Sequence, residues 1–164
     1  MIGEDKTGNR EKGHFQHVNC YSSQDLVDWK FENHVLTRDD SIPALGPNRI
    51  VERPKVLWNE RTKSFVMIMH IDNEIYKNAD IGFANSTEVC GRYQWQRQMR
   101  PLGHESRDIS LFQEEDGQAY LLSEDVSSFI PRPQYLFKLT RDFNSDPMAC
   151  IFSNSHTTTC TSAK

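Results

Sequence analysis

Two strand–turn–strand units recur in this chain, offset by 55 residues (57 to 112): residues 57–68 (LWNERTKSFVMI) align with residues 112–123 (FQEEDGQAYLLS). A second element recurs with them. Residues 20–26 (CYSSQDL), 83–86 (FANS) and 137–143 (FKLTRDF) each run from a strand-like stretch into a polar turn. Fixed periods of this size belong to architectures in which each repeat is one small sheet and neighbouring sheets cover one another. Helices find no support, because apolar residues rarely recur at three-and-four spacing over a useful length. The stretches 64–69, 81–84 and 118–122 read as strands bounded by turn residues. Asp116-Gly117 reads as a hairpin turn, since glycine accepts the positive φ that such turns require. The expectation is an all-β chain made of propeller blades. At about 55 residues per blade, it holds fewer than three of them and forms an incomplete propeller. The partial propeller is expected over residues 1–145. A Ser/Thr-rich tail over 146–164, with no blade pattern, is expected to be disordered.

Composition narrows the function classes. The 164 residues carry a net charge of −4, which lacks the basic footprint of a nucleic-acid binder. No apolar run approaches a membrane span, so no membrane partner is expected. The chain opens on Met1-Ile2-Gly3-Glu4-Asp5-Lys6, without the basic and apolar regions of a signal peptide. Cys20, Cys90, Cys150 and Cys160 form no CxxC pair, which argues against a zinc site. Cys20 and Cys90 read either as small buried hydrophobes or as a disulfide in an oxidising compartment, and both readings stand. Asn85-Ser86-Thr87 fits a glycosylation acceptor. His14 with His17, His70 near Asp72, and His104-Glu105 each lack the converging ligands of a metal site, so no metal or cofactor is expected. Trp29, Trp58 and Trp95 lie near blade turns and read as packing residues rather than sugar platforms. Ser22 and Ser23 have no triad companions.

Five stretches, in order, carry a resemblance. They are Gly3-Glu4-Asp5-Lys6; Cys20-Tyr21-Ser22-Ser23-Gln24-Asp25-Leu26-Val27-Asp28-Trp29; Val51-Glu52-Arg53-Pro54-Lys55-Val56; Arg100-Pro101-Leu102-Gly103-His104-Glu105-Ser106-Arg107-Asp108; and Asp116-Gly117-Gln118-Ala119-Tyr120-Leu121-Leu122. Together they resemble the N-terminal part of glycoside hydrolase family 43, in its exo-β-1,3-galactanase branch, over residues 1 to about 145. The resemblance implies a five-bladed β-propeller with its site on the central axis. It also implies exo-acting, inverting cleavage of β-1,3-galactan or arabinogalactan, an extracellular setting and a monomer.

The resemblance also implies roles. Asp108 sits where the family places the aspartate that tunes the general acid, and a neighbouring carboxylate raises an acid's pKa by like-charge repulsion. Glu52 matches a glutamate that faces the substrate, as sugar binder or candidate base. The branch lacks the family's usual base aspartate and offers a later glutamine for that task. Glu4, Arg53 and Tyr76 match positions lining the sugar site. Carboxylates and arginine suit sugar hydroxyls, and a ring offers its face to the sugar's C–H surface. The departures are specific. The Leu-Glu-Ala-Pro-type motif of the general acid is absent from this sequence, as are the later glutamine and a strand ahead of Gly3. The chain itself is therefore expected to hydrolyse little. A non-catalytic carbohydrate-binding propeller is the alternative. A protein-interaction propeller would need no carboxylates on its axis.

Overall fold

A computed structural model describes residues 1–5, 7, 14–127 and 132–145, and the backbone of 149–153. Its strands form three sheets. The first contains β1 (Ile2–Asp5), β2 (His17–Ser22) and β3 (Lys30–Thr37). The second contains β4 (Arg49–Asn59), β5 (Ser64–Asn73), β6 (Asp80–Ser86) and β7 (Gln94–Met99). The third contains β8 (Ile109–Gln113), β9 (Ala119–Glu124), β10 (Gln134–Lys138) and β11 (Ala149–Ser153). Each sheet is an antiparallel meander in chain order. A 3-10 turn stands at Pro101–Gly103.

The sequence repeat is realised directly. Residues 57–68 are the β4–β5 hairpin, and residues 112–123 are the β8–β9 hairpin. The second repeated element supplies β2, β6 and β10. Gly117 takes φ +88°. It closes a turn in which its N–H donates to the Glu114 carbonyl, while Glu114 N–H donates to the Gln118 carbonyl. This is the three-residue hairpin loop, with glycine in the left-handed position.

The second sheet lies between the other two, and β5 shows why its sequence is apolar without alternation. Met67, Met69 and Ile71 point into a core shared with Phe15, Val18, Val35 and Leu45 of the first sheet and its loops. Val66 and Ile68 point the other way, into a core shared with Ile109, Leu121, Tyr135 and Phe137 of the third sheet. A strand covered on both faces loses its polar half, so the period-2 signal vanishes. Gly82 on β6 answers to the same crowding. A Cβ there would lie 2.7 Å from side-chain atoms of Ile71 and Trp95.

A disulfide joins Cys20 of β2 to Cys90 in the β6–β7 loop, with Cα atoms 5.5 Å apart. Of the two readings open in the sequence, the disulfide is the one found. It closes a 70-residue separation. In the chain-entropy account this removes about 4 kcal/mol of freedom from the unfolded state.

The first sheet places its three strands within residues 2–37. Within the stretch read as a tail, residues 149–153 pair with β10 as β11. Backbone hydrogen bonding to an existing edge does not need an apolar pattern. Residues 146–148 and 154–164 lie outside the described residues. Asn85 stands within β6, paired on one side with Val66 and on the other with Gln94, so it is no exposed loop acceptor for a glycan.

Candidate active site

The edge strands β1, β4 and β8 adjoin in turn where the three sheets meet. The bulge in β4 builds the site. The β4–β5 register shifts between Glu52 and Lys55, so Arg53-Pro54 steps out of the ladder. Proline has no N–H to offer it, and a bulge re-aims the side chains beside it. Arg53 takes φ +54°. Its N–H, turned away from the ladder, donates to Glu4 Oε2 on β1 at 2.8 Å. Its guanidinium Nη2 lies 2.8 Å from Oδ1 of Asp108, the residue just before β8. One residue thus ties together the starts of all three sheets.

Tyr76 arrives from the turn after β5. Asn73 Oδ1 accepts the N–H groups of Ile75 and Lys77, and the Asn73 carbonyl accepts that of Tyr76. The turn holds Tyr76 at φ +53°, and its hydroxyl donates to Glu52 Oε1 at 3.0 Å. The Arg107 guanidinium covers the ring, 5.3 Å from its centroid, and donates to the Tyr76 carbonyl at 2.8 Å. Burial first, then the Glu52 charge and the hydrogen bond to it, push the Tyr76 phenol up to about 12. Non-glycine residues at positive φ cost about 1–3 kcal/mol each and gather at functional sites. Two of the five residues assembled here carry that strain.

The five sequence-selected residues form two bonded groups that meet along the β4 backbone: Glu4 and Asp108 on Arg53, and Tyr76 on Glu52. Glu52 is the sheltered carboxylate, with its side chain 14% exposed against 54% for Asp108. A cleft of about 410 Å³ opens beside Tyr76, lined also by Glu105, Arg107 and Arg132. Together the five residues carry three carboxylates, a phenol and a guanidinium, an array of donors and acceptors suited to sugar hydroxyls.

Weighed in the sequence only as metal ligands, His70 and Asp72 line the floor beneath Glu52. Both are fully buried. The signal was present: they are the two ionisable residues in the otherwise apolar stretch 65–72 (FVMIMHID). The other described histidines are accounted for locally. His14 lies 3.7 Å from Glu74, and His17 stacks on His34. His104 pairs with Asp125 and stacks on Tyr135. No group of three or more potential ligands converges on a metal position among the described residues. Trp58 packs on Phe65, and Trp95 packs against the first core. Trp29 is 40% exposed, with its indole N–H on the Leu26 carbonyl.

No protein-family model matches the chain, and no curated protein does. Solved structures do. An exo-β-1,3-galactanase from Phanerochaete chrysosporium, in complex with β-1,3-galactotriose, is 33% identical with a TM-score of 0.83, over 93% of this chain and 34% of that one. An exo-β-1,3-galactanase from Clostridium thermocellum is 33% identical with a TM-score of 0.78, over 92% and 34%. A GH43 β-1,3-galactosidase is 29% identical with a TM-score of 0.72, over 85% and 29%. The all-β sheets of three and four strands are consistent with the propeller fold of glycoside hydrolase family 43. The chain belongs to glycoside hydrolase family 43, with its likeness running to the exo-β-1,3-galactanases. It spans about a third of the length of these relatives.

Proposed function

We propose that the cluster is one wall of a sugar-binding cleft in a glycosidase that releases galactose from the end of β-1,3-galactan, with inversion, in a five-bladed propeller. The observation that carries this reading is the Arg53 bulge, which draws Glu4, Glu52 and Asp108 from three sheets onto one spot. Tyr76 and Glu4 would hold sugar hydroxyls. Glu52 would bind a hydroxyl or serve as base, and Asp108 would keep a neighbouring acid protonated. Inverting cleavage needs one carboxylic acid to protonate the leaving oxygen and a second group to activate water. No Leu-Glu-Ala-Pro segment is present to supply that acid. Loss of a general acid forfeits about 10²–10⁴-fold in rate, so the 164-residue chain is expected to bind galactan fragments and turn them over poorly. An extracellular, monomeric protein fits this use, and the disulfide suits an oxidising compartment.

The Arg53–Asp108 ion pair supports a second reading. A carboxylate already neutralised by a guanidinium is suited to binding rather than to tuning an acid, as in a carbohydrate-binding propeller. Hydrolysis of β-1,3-galactan, assayed beside a binding titration, separates the two. Turnover comparable to a complete galactanase would overturn the expectation for this chain. Absence of binding would overturn both readings.

A further inference from the structure

Beneath Glu52, three ionisable side chains stand in line. Glu52 and His70 are cross-strand partners on β4 and β5, which places their side chains on one face of the sheet. Asp72 lies two residues beyond His70, on that same face. His70 Nδ1 is 3.5 Å from Glu52 Oε2, and His70 Nε2 is 3.1 Å from Asp72 Oδ2. The Asp72 carboxylate is itself fixed. Its Oδ1 accepts the N–H groups of Asn73 at 2.8 Å and Asn78 at 2.7 Å, and Arg107 Nη2 stands 3.9 Å from Oδ2. A fully buried histidine and aspartate in an apolar strand are costly to keep, unless each is paired.

The protonation pattern follows from the acceptors. A carboxylate held by backbone N–H groups and facing a guanidinium offers lone pairs, so the imidazole donates to it from Nε2. That orients Nδ1 toward Glu52 Oε2. At 3.5 Å the Nδ1–Oε2 pair is a charge contact rather than a hydrogen bond, and the buried Nδ1 has no hydrogen-bond partner, so a protonated Nδ1 would attract Oε2 and a bare one would repel it. The opposite oxygen, Glu52 Oε1, already accepts the Tyr76 hydroxyl. The charged and titratable groups around His70 are Glu52 on β4, Asp72 on β5, Tyr76 in the following turn, Asp80 on β6 and Arg107 ahead of β8.

We infer that His70, oriented by Asp72, is the positioning residue of Glu52, setting its Nδ1 edge beside Oε2 and fixing the carboxyl's aim at the sugar. Asp72 sets the imidazole, the imidazole sets Oε2, and Tyr76 sets Oε1. The part of this inference that concerns sugar rests on the reading of the cluster as a galactose site. The proton arrangement does not.

The test uses the full 164-residue chain, first without sugar. In long-range proton–nitrogen spectra, His70 carries a proton on Nε2. Glu52→Gln, which changes the group beside Nδ1, moves the His70 Nδ1 signal and leaves the Nε2 proton in place. A bare Nε2, or an Nδ1 signal indifferent to Glu52→Gln, overturns the inference. Galactose is then titrated against two variants. The amide of His70→Asn can occupy the Nδ1 place and donate to Glu52, so affinity is kept. The amide of His70→Gln reaches only toward Asp72, so affinity falls about tenfold. Equal affinities in the two variants contradict the positioning role. Failure of galactose to bind the unaltered chain sinks the sugar reading alone, because the spectra decide the proton arrangement separately.

Discussion

The second and third sheets share one core but face different surroundings. The second is covered on both faces, and its β5 strand is buried along nearly its whole length. The third is covered on one. On its other face Phe112 is 63% exposed and Leu122 is 40% exposed, beside an apolar groove of about 480 Å³. The difference teaches where rigidity is available. A polar site must be held to within fractions of an ångström by packed neighbours. In this chain the covered sheet does that: it carries Glu52, Arg53, His70, Asp72 and, one turn on, Tyr76. The third sheet contributes Asp108 from the exposed start of β8.

Large-to-small changes break the comparison most sharply. Phe83, fully buried on β6, joins the second and third sheets. Phe83→Ala should cost about 3–5 kcal/mol in denaturant unfolding. Losing the Cys20–Cys90 disulfide by a double Cys→Ser change should cost about 2–4 kcal/mol, measured in the same way. A loss confined to the reduced form of the unaltered protein, with no effect of the double change, would contradict the tether.

Two titrations sharpen it. Burial would raise the Asp142 carboxyl, but hydrogen bonds from Thr140, Asn144 and Ser145 prevail and hold it down at about 2. Because its folded value lies below the ordinary aspartate value of 3.8, its stabilisation is full above that pH and lost as pH falls toward 2. Asp142→Asn should flatten acid unfolding in that window. Tyr76 has the opposite sign. With its folded value raised from 10.0 to about 12, the neutral phenol favours the fold below pH 10, and that contribution is lost as pH rises through 12. Ultraviolet titration should place the phenolate transition high. Glu52→Gln should move it part of the way back, since burial remains. The smallest effect belongs to the open face: Phe112→Ser should change stability by no more than about 0.5 kcal/mol. A large loss there would mean that this face is as structural as the middle sheet.

Much of this was legible in the residues. The 55-residue spacing located both hairpins, whereas the bulge was not read from the sequence, although Pro54 carried its signal, because proline inside a strand marks an interrupted ladder. The convergence of Glu4, Glu52 and Asp108 came through resemblance. No pattern within a strand states which edges of different sheets will adjoin. His70 and Asp72 were visible but read as unremarkable, since their partner lies across a ladder whose register depends on the bulge. β11 was illegible for another reason. It joins the third sheet by backbone pairing, which leaves no mark on composition.

The most direct measurement is a backbone amide map of the chain titrated with β-1,3-galactobiose. The account predicts shifts concentrated at Glu4, Glu52, Arg53, Tyr76 and Asp108 and weakened by Glu52→Gln. Shifts centred on Phe112 and Leu122, or none at all, would contradict it.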